Sequence, residues 1–378
     1  MITDAILWVS NPALLLRRVA GLTVVERHLH TLARAGLRRV WVSSEHNVEP
    51  AAGLRLPASL AIFWKNRGSA QCEPPYLVVS ASHFIRIDTL AHIARHHDGQ
   101  HRAFVDQRNA SVVQVLPSRV EDLPPCQTQP LPPGVCIPLT SQIESDMTQD
   151  WLLAAGIKEA DGFMARNFDR HISLAISRAL LNTSISPTQM TILSCLLGLS
   201  GTFFFLLHGW GAHMTGAMLV WLHSVLDGCD GELARIRFQE TPLGADIDFW
   251  GDNVVHVSLF ACLAAGFARA DASPLPLLAG LMAMVGILGS ASLVYRQRIA
   301  HRAGARQGDS SGPKSRLARL EKILEQRDFI YLLLLLAYLQ RTYEFLWAGA
   351  VGVLLFFAMT IYIGRVNREQ TFQPRRAS

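Results

Sequence analysis

The chain has 378 residues, half of them hydrophobic and only 17% charged, with a mean hydropathy of +0.22. Residues 1–185 read as soluble protein while apolar runs dominate from Met190 onward, which excludes a wholly soluble chain and points to a soluble domain fused to an integral membrane domain. The formal charge of +5 fits an anionic membrane surface or topology signals, no nucleic-acid partner is expected, and six cysteines without a CxxC pair argue against a zinc site or disulfide framework.

The first residues, MITDAILWVSNPALLLRR, carry Asp4 ahead of a short apolar run and lack a basic n-region. No secretory signal peptide is expected, and the N-terminal domain should stay in the cytosol. Residues 5–10, 38–44, 60–64, 76–82, 102–106 and 111–117 read as strands, and 24–36 and 87–97 as helices. This alternation predicts an α/β domain over 1–150 with a mostly parallel sheet. The Pro-rich stretch 117–138 reads as a loop or covering segment.

A linker and interfacial segment, 151–188, follows. Met164, Phe168, Ile172, Ile176 and Leu180 recur every four residues, with Arg166, Arg170 and Arg178 on another face. This predicts a basic amphipathic helix on the cytosolic membrane surface, or a linker helix docked on the soluble domain. Six candidate spans come next: 190–208, 213–234, 246–268, 274–295, 328–341 and 345–364. A span needs about 20 residues, so the fifth is short; a single helix over 328–364 is the competing reading, opposed by the break at 340–344. Basic residues concentrate in the loop 296–327 and in the tail 366–378, which places both termini in the cytosol. The expected architecture is therefore an α/β domain plus an all-α six-helix transmembrane domain over 189–365.

Between the second and third spans lies DGCDGELARIRFQETPLGADIDFWGD, residues 227–252, with five aspartates. Carboxylates in or beside a bilayer are costly, and they mark function. Asp227 and Asp230 are three apart and share a helix face; Asp248 and Asp252 are four apart and share the next one. A tight turn around Pro242 and Gly244 brings the two faces together. Four converging carboxylates repel unless hard divalent cations such as Mg²⁺ bind them, and two such ions can clamp a diphosphate during in-line displacement at phosphorus. Asp246 reads as a bystander that caps the third span. An ion transporter or a catalytically silent scaffold is the reading from another class.

The pattern D-x2-D-G-x2-A-R-x8-G-x3-D-x3-D runs through Asp227, Asp230, Gly231, Ala234, Arg235, Gly244, Asp248 and Asp252. It resembles the signature of the CDP-alcohol phosphotransferase family at every position, over about residues 161–365. The resemblance implies transfer of a phospho-alcohol from a CDP-linked donor to the hydroxyl of an alcohol or lipid acceptor, with release of CMP. It implies Asp227, Asp230 and Asp248 as ligands of Mg²⁺ or Mn²⁺, about two ions. Asp252 is implied as general base and further metal contact, and Asp227, Gly231, Ala234, Arg235 and Gly244 as the nucleotide side. Arg235 can alternatively pair with Asp246 or another carboxylate. Arg296 and Arg298, at the cytosolic end of the fourth span, are candidates for a substrate phosphate, as are Arg166 and Arg170. Family members often read P-N-x-V-T at the first span; here Pro187-Thr188-Gln189-Met190-Thr191 stands, and Thr188 receives no role. A homodimer and an inner-membrane location are further expectations of the resemblance.

The stretches 19-VAGLTVVERHLHTLARAG-36 and 75-PYLVVSASHFI-85 resemble sugar-phosphate nucleotidyltransferases. The fusion order resembles bifunctional inositol-phosphate cytidylyltransferase/di-inositol-phosphate-phosphate synthases. The first strand, however, is followed by Ser10-Asn11-Pro12 with no glycine until Gly21, and Ser80-Ala81-Ser82-His83 stands where a metal-binding Asp is expected. The N-terminal domain is therefore expected to be degenerate, with His83 a surface or packing residue. A truly bifunctional enzyme is the alternative.

Overall fold

The computed structural model describes residues 1–45, 53–66, 72–118, 122–139, 144–155, 165–304 and 329–372. It divides into two compact units. One holds Met1–Ile157 with the short segments Leu181–Thr183 and Ile236–Phe238; the other holds the remainder.

The first unit is built on strands β1 (Asp4–Val9), β2 (Arg18–Val19), β3 (Leu22–Thr23), β4 (Arg39–Ser44), β5 (Ala61–Asn66), β6 (Tyr76–Ser80), β7 (His83–Ile85), β8 (Arg102–Val105), β9 (Ser111–Leu116), β10 (Gln127–Pro130) and β11 (Cys136–Pro138). Its main sheet has the order β10-β8-β9-β6-β1-β4-β5. β1 runs parallel to β4 and β6, β4 to β5, and β10 to β8, while β9 is antiparallel to both neighbours. The sheet is thus mostly parallel, as the strand–helix alternation predicts. The Pro-rich stretch departs from its reading as a loop: it supplies β10 at the sheet edge and β11, which pairs with β7. All four residues of β10 are exposed, so no apolar alternation marked them as a strand.

Among the described residues, this unit has helices α1 (Pro12–Leu15), α2 (Val24–Arg34), α3 (Ile87–Arg95) and α4 (Glu144–Ala155). Thr23 caps α2 through a reciprocal capping box with Glu26. Val25, Leu29 and Leu32 join Leu7, Val40, Val42, Leu77 and Val79 of the sheet in one core. Arg27 and His28 are buried as well. The Arg27 guanidinium donates to the carbonyls of Val19 and Ala20 at 3.0 and 3.2 Å, which closes the turn between β2 and β3, where Ala20 and Gly21 take positive φ.

His28 Nε2–H donates to the Ala81 carbonyl at 3.1 Å, and burial holds the imidazole at a pKa of about 4. Its folded value lies below the unfolded value near 6.5. The unfolded chain therefore takes up a proton as pH falls from 6.5 to 4, and the folded chain does not. Stability should fall by about 3 kcal/mol over that window and level off below it. His28→Gln should flatten the decline by one proton in full-chain unfolding followed against pH; an unchanged slope would refute the assignment.

The second unit holds a π-helical turn Ala165–Asp169 and helices α5 (Arg170–Leu180), α6 (Pro187–Phe203), α7 (Trp210–Ile236, whose last residue counts with the first unit), α8 (Pro242–Asp271), α9 (Leu275–Gly304), α10 (Phe329–Tyr338) and α11 (Thr342–Phe372). α6 to α11 follow the six candidate spans in order. Among the described residues, four segments are long and apolar enough to cross a membrane: Pro187–Leu206, Pro242–Asp271, Leu275–Ala300 and Thr342–Ile363. α10 and α11 are separate helices, divided where Gln340 takes a φ of +60°, so the single-helix reading of 328–364 does not hold. α11 runs on to Phe372, past the apolar stretch and into the predicted tail, because Arg365, Arg368, Glu369 and Gln370 are sound helix formers. Residues 305–328 and 373–378, with most of the basic charge of the loop 296–327 and the tail, lie outside the described residues, as does Met164.

Several contacts fit α6, α7 and α8 closely together. A Cβ on Gly201 would stand 2.7 Å from Leu219 Cβ, and one on Gly216 would stand 2.9 Å from the Gly201 carbonyl oxygen. Small residues let helices approach where lipid supplies no hydrophobic drive between them. α5 departs from a simple amphipathic picture. Phe168 and Ile172 are exposed, in keeping with a lipid-facing stripe, but the buried residues of α5 are Ser173 and Ser177. Cys229 Sγ on α7 donates to the Ser173 carbonyl at 3.4 Å.

Candidate active site

α7 and α8 carry the acidic segment, and the five residues between them form a compact reversal. α7 closes with Phe238 at a φ of +53° and Gln239 N–H donating to the Ala234 carbonyl at 2.8 Å. Thr241 then caps α8, its Oγ1 accepting from Gly244 N–H at 3.0 Å, with Pro242 in the first turn. Asp246 therefore does not cap the helix: Thr241 does, because Pro242 starts the helix four residues earlier than the apolar run suggests. Gly244 likewise sits in the first helical turn rather than in a loop. A Cβ there would lie 2.9 Å from Thr241 Oγ1, so its smallness serves the cap.

This geometry brings Asp227, Asp230 and Asp248 together. One carboxylate oxygen from each lies within 4.8 Å of the others. Asp227 and Asp230 are buried. Thr191 Oγ1, on α6, donates to Asp230 Oδ2 in a short hydrogen bond. Asp248 Oδ1 is buried with no hydrogen-bond partner. Three carboxylates at this spacing repel one another, and an orphaned buried oxygen costs its full desolvation. A hard divalent cation removes both penalties, and all the donors are oxygen. The residues present thus fit a Mg²⁺ or Mn²⁺ site.

Asp252 stands one turn beyond Asp248 and outside that triad. Its Oδ1 lies 3.5 Å from Nε2 of His223. His223 is buried on α7 one turn before Asp227, and its Nδ1–H donates to the Ser194 carbonyl at 2.9 Å. Gly198 makes room for the ring, since a Cβ there would be 2.8 Å from His223 Cγ. On the other flank, the Arg235 guanidinium folds back over Gly231, where a Cβ would be 3.0 Å from Nη1. Gly231 thus accommodates its own helix neighbour. Ala234 is half-buried and contributes its carbonyl to the helix end.

The candidate phosphate-binding arginines separate. Arg296 and Arg298 are exposed near the end of α9, and Arg298 lies over the Phe249 ring at 4.4 Å. The Arg166 side chain lies outside the described residues. Arg170 turns inward to Glu232 of α7 at 2.7 Å, and Ser173 Oγ donates to the same oxygen at 2.8 Å. Asp169 accepts from Trp221 Nε1 at 3.2 Å and from the Tyr331 hydroxyl, tying the turn before α5 to α7 and α10. Thr188 occupies the first turn of α6, capped by Ser186 and Gln189.

Removing one partner of a buried ion pair strands the other, at a cost of about 3–5 kcal/mol. Arg170→Ala should destabilise the chain by that amount in chemical unfolding, and Arg170→Met with Glu232→Met should recover most of it. A loss below about 1 kcal/mol in the single variant would show that the pair does not hold α5 to α7.

Sequence reasoning missed Thr191, His223, Glu232 and the inward turn of Arg170. His223 had a signal, since it stands four residues before Asp227 on the same helix face. Thr191 closes the Pro187–Thr191 stretch. Glu232 lay inside the motif between specified positions.

The second unit thus combines membrane-length apolar helices with three aspartate carboxylates gathered at one helix reversal, two of them buried. Residues 184–362 match the family model of CDP-alcohol phosphatidyltransferase. A bifunctional IPC transferase and DIPP synthase from Rubrobacter xylanophilus is 36% identical over 149 residues, covering 38% of this chain and 32% of that protein. One from Thermococcus kodakarensis is 31% identical over 215 residues, covering 56% of this chain and 46% of that protein. A phosphatidylinositol phosphate synthase from Mycobacterium tuberculosis is 31% identical over 101 residues, covering 27% and 46% of the two chains. The chain spans between 25% and 46% of the length of the curated relatives it matches. Among solved structures, the Mycobacterium tuberculosis phosphatidylinositol phosphate synthase with CDP-DAG bound covers 51% of this chain and 92% of its own, at 23% identity and a TM-score of 0.35.

Proposed function

We propose that this protein transfers a phospho-alcohol group from a CDP-linked donor to an acceptor hydroxyl, releasing CMP, in phospholipid or inositol-phosphate-type synthesis. The observation that carries the reading is the meeting of Asp227, Asp230 and Asp248 within 4.8 Å inside the matched domain. These three carboxylates would hold Mg²⁺ or Mn²⁺, about two ions. A cation held there would supply positive charge to offset the donor diphosphate and the charge developing on the leaving CMP. Thr191 keeps Asp230 oriented through its hydrogen bond. Asp252 takes the proton of the acceptor hydroxyl. The oxygen then forms its bond to the phosphorus that carries the alcohol, and the bond from that phosphorus to the CMP oxygen breaks. Asp252 lies on the same face of α8 as Asp248, one turn away, so base and metal site share one rigid element. Arg235 and Gly231 border the triad on α7 as the nucleotide side, and Arg298 stands at the acceptor side.

In this reading all six helices α6 to α11 span an inner membrane, α10 as a short tilted span, with both termini and the active site cytosolic. The α/β unit serves as a non-catalytic partner. After β1 the chain enters α1, capped by Asn11, in place of a glycine-rich phosphate loop. At the end of β6, Ser80, Ser82, His83 and Asp106 bond one another: Ser80 Oγ to Ser82 Oγ at 2.7 Å, Ser82 Oγ to His83 Nδ1 at 3.0 Å and His83 Nε2 to Asp106 Oδ2 at 3.3 Å. His83 and Asp106 are buried, and Asp106 Oδ1 accepts the amides of Arg108 and Ala110. Burial raises the Asp106 pKa, but those amides and His83 outweigh it and hold the carboxyl below its ordinary range. The local carboxylate is thus committed to protein donors.

The test is CMP release by purified protein with Mg²⁺ or Mn²⁺ across paired CDP-alcohols and acceptors. Release from at least one pair, lost with chelator, is expected. Silence across the full panel would favour a membrane scaffold or transporter. Release of pyrophosphate from CTP and a sugar or inositol phosphate would establish the bifunctional alternative.

A further inference from the structure

The α/β unit takes in two short segments from further along the chain, Leu181–Thr183 and Ile236–Phe238. The second of these closes α7 and opens the reversal that leads to α8, so it stands between Asp230 and Asp248 in the chain. Within the unit, α2 holds it at two points. The first is the end of α7, where the buried Arg27 donates from Nη1 to the Ile236 carbonyl at 2.9 Å while its Nη2 donates to Val19 and Ala20. A helix leaves its last carbonyls without partners, and a guanidinium there satisfies one and complements the negative end of the helix dipole. The second is the Phe238 ring. It stacks on the His30 ring, with centroids 5.0 Å apart and planes at 14°, and the Arg34 and Arg27 guanidinium carbons lie 4.8 and 5.7 Å from its centre. Phe238 needs that hold: at a φ of +53° a residue with a Cβ is strained and keeps its conformation only where its surroundings dictate it. Arg237 ties in the other segment, donating from Nη2 to the carbonyls of Leu181 and Thr183 at 3.0 Å each. Gly21, at a φ of +81°, sits against both, since a Cβ there would be 3.0 Å from the Leu181 oxygen and 3.2 Å from Arg237 Nε.

We propose that Arg27, His30 and Arg34 of α2 are positioning residues for the metal site: by fixing Ile236 and Phe238 they set where α7 ends and α8 begins, and hence how Asp230 meets Asp248. The inference rests on Asp227, Asp230 and Asp248 as the cation site of the proposed reaction. Ile236 stands six residues beyond Asp230 on one continuous helix, about 9 Å away. An anchor at the helix end is therefore carried rigidly to the carboxylate. On the other side, α8 starts at Pro242, four residues after Phe238, and Asp248 follows in its second turn. A functional site needs its side chains held to within about 0.5 Å, and a strained reversal without an outside hold does not secure two helices to that tolerance. The segment Leu181–Thr183 extends the same hold to the chain just ahead of α6, whose Thr191 donates to Asp230. The α2 side chains act through the backbone of the reversal and not through the cation. The α/β unit thereby serves the transfer reaction without carrying a catalytic group.

Phe238→Gly separates the anchor from the turn. Glycine takes the positive φ without strain and keeps the helix stop, but it removes the ring. Phe238→Tyr keeps the ring and is the conservative control. The full chain in phosphatidylcholine nanodiscs would be titrated with Mn²⁺ alone, with free Mn²⁺ read by electron paramagnetic resonance. CMP release would be measured separately at saturating donor and acceptor. The Mn²⁺ dissociation constant should rise at least about tenfold in Phe238→Gly, as for loss of a group that orients metal ligands, and at least about threefold in His30→Ala. It should stay within about twofold of wild type in Phe238→Tyr. His30→Ala added to Phe238→Gly should change it by less than about twofold more, because the two rings form one contact. At saturating Mn²⁺ the kcat of Phe238→Gly should return to within about threefold of wild type, since ligands and base are intact; general damage to packing would not be rescued by metal. Should Phe238→Gly fail to fold, His30→Ala decides alone. Wild-type Mn²⁺ affinity in folded Phe238→Gly or in His30→Ala, or a full loss in Phe238→Tyr, would overturn the positioning role and leave the phosphotransferase reading standing. The expected affinity changes with no CMP release from any donor would do the reverse. Failure of the wild type to bind Mn²⁺ would overturn both.

Discussion

Asp252→Asn should lower kcat for CMP release by about 10²–10⁴-fold, the contribution of a positioned general base. The change is isosteric and removes one negative charge while keeping the side chain beside His223, 3.5 Å away in the wild type. Folding should survive, and the KM for the CDP donor should stay within about threefold, because the proposed reaction holds the donor diphosphate from the triad side. Turnover of the purified variant under saturating donor and acceptor measures the effect. Asp246→Asn is the control. That residue lies in the same acidic segment, outside the signature, in the second turn of α8, and its replacement should leave turnover near wild type. Wild-type kcat in Asp252→Asn would sink the base assignment. Equal losses in both variants would mean that the segment responds to charge alone.

The second large effect concerns the metal. Asp248→Asn should abolish the thermal stabilisation that Mn²⁺ gives the wild type and reduce CMP release by more than about 10²-fold, even at high metal. A ligand at one hundred times its dissociation constant stabilises a folded protein by about 2.7 kcal/mol, well within reach of a melting measurement. With chelator present the order should reverse. Three carboxylates with oxygens within 4.8 Å repel, and the Asn variant, with one charge fewer, should then melt at or above the wild type. This paired reversal separates ligation from general damage, because a variant that merely packs badly melts lower in both conditions. An unchanged Mn²⁺ shift in Asp248→Asn would remove Asp248 from the metal site.

The α/β unit and the helical unit divide the work unevenly in this reading. The first has a well-packed sheet and a helix anchored by a capping box. In it Ser80, Ser82, His83 and Asp106 form a hydrogen-bonded network, and Asp106 also accepts two backbone amides. His83, read from sequence as a surface or packing residue, is a buried member of that network. Its partner Asp106 comes from the turn after β8, 23 positions along the chain, and no local pattern announces the pairing.

What the sequence determined by itself is whatever follows from repeats shorter than one element. Alternation marked the buried strands. A reach of three or four residues placed Asp227 with Asp230, and Asp248 with Asp252, since 3.6 residues per turn fixes which side chains share a helix face. Pro187 and the polar break near Gln340 marked helix limits for equally local reasons. Tertiary structure decided everything that crosses between elements. It set Asp252 beside His223 rather than within the triad, gave Asp230 its hydrogen bond from Thr191, and drew Arg170 off the membrane surface to a buried Glu232. It also bent Arg235 over Gly231. Those outcomes depend on how closely α5 to α11 pack, and that closeness is set by distant small residues such as Gly198, Gly201 and Gly216, which carry no chemistry that a motif could record.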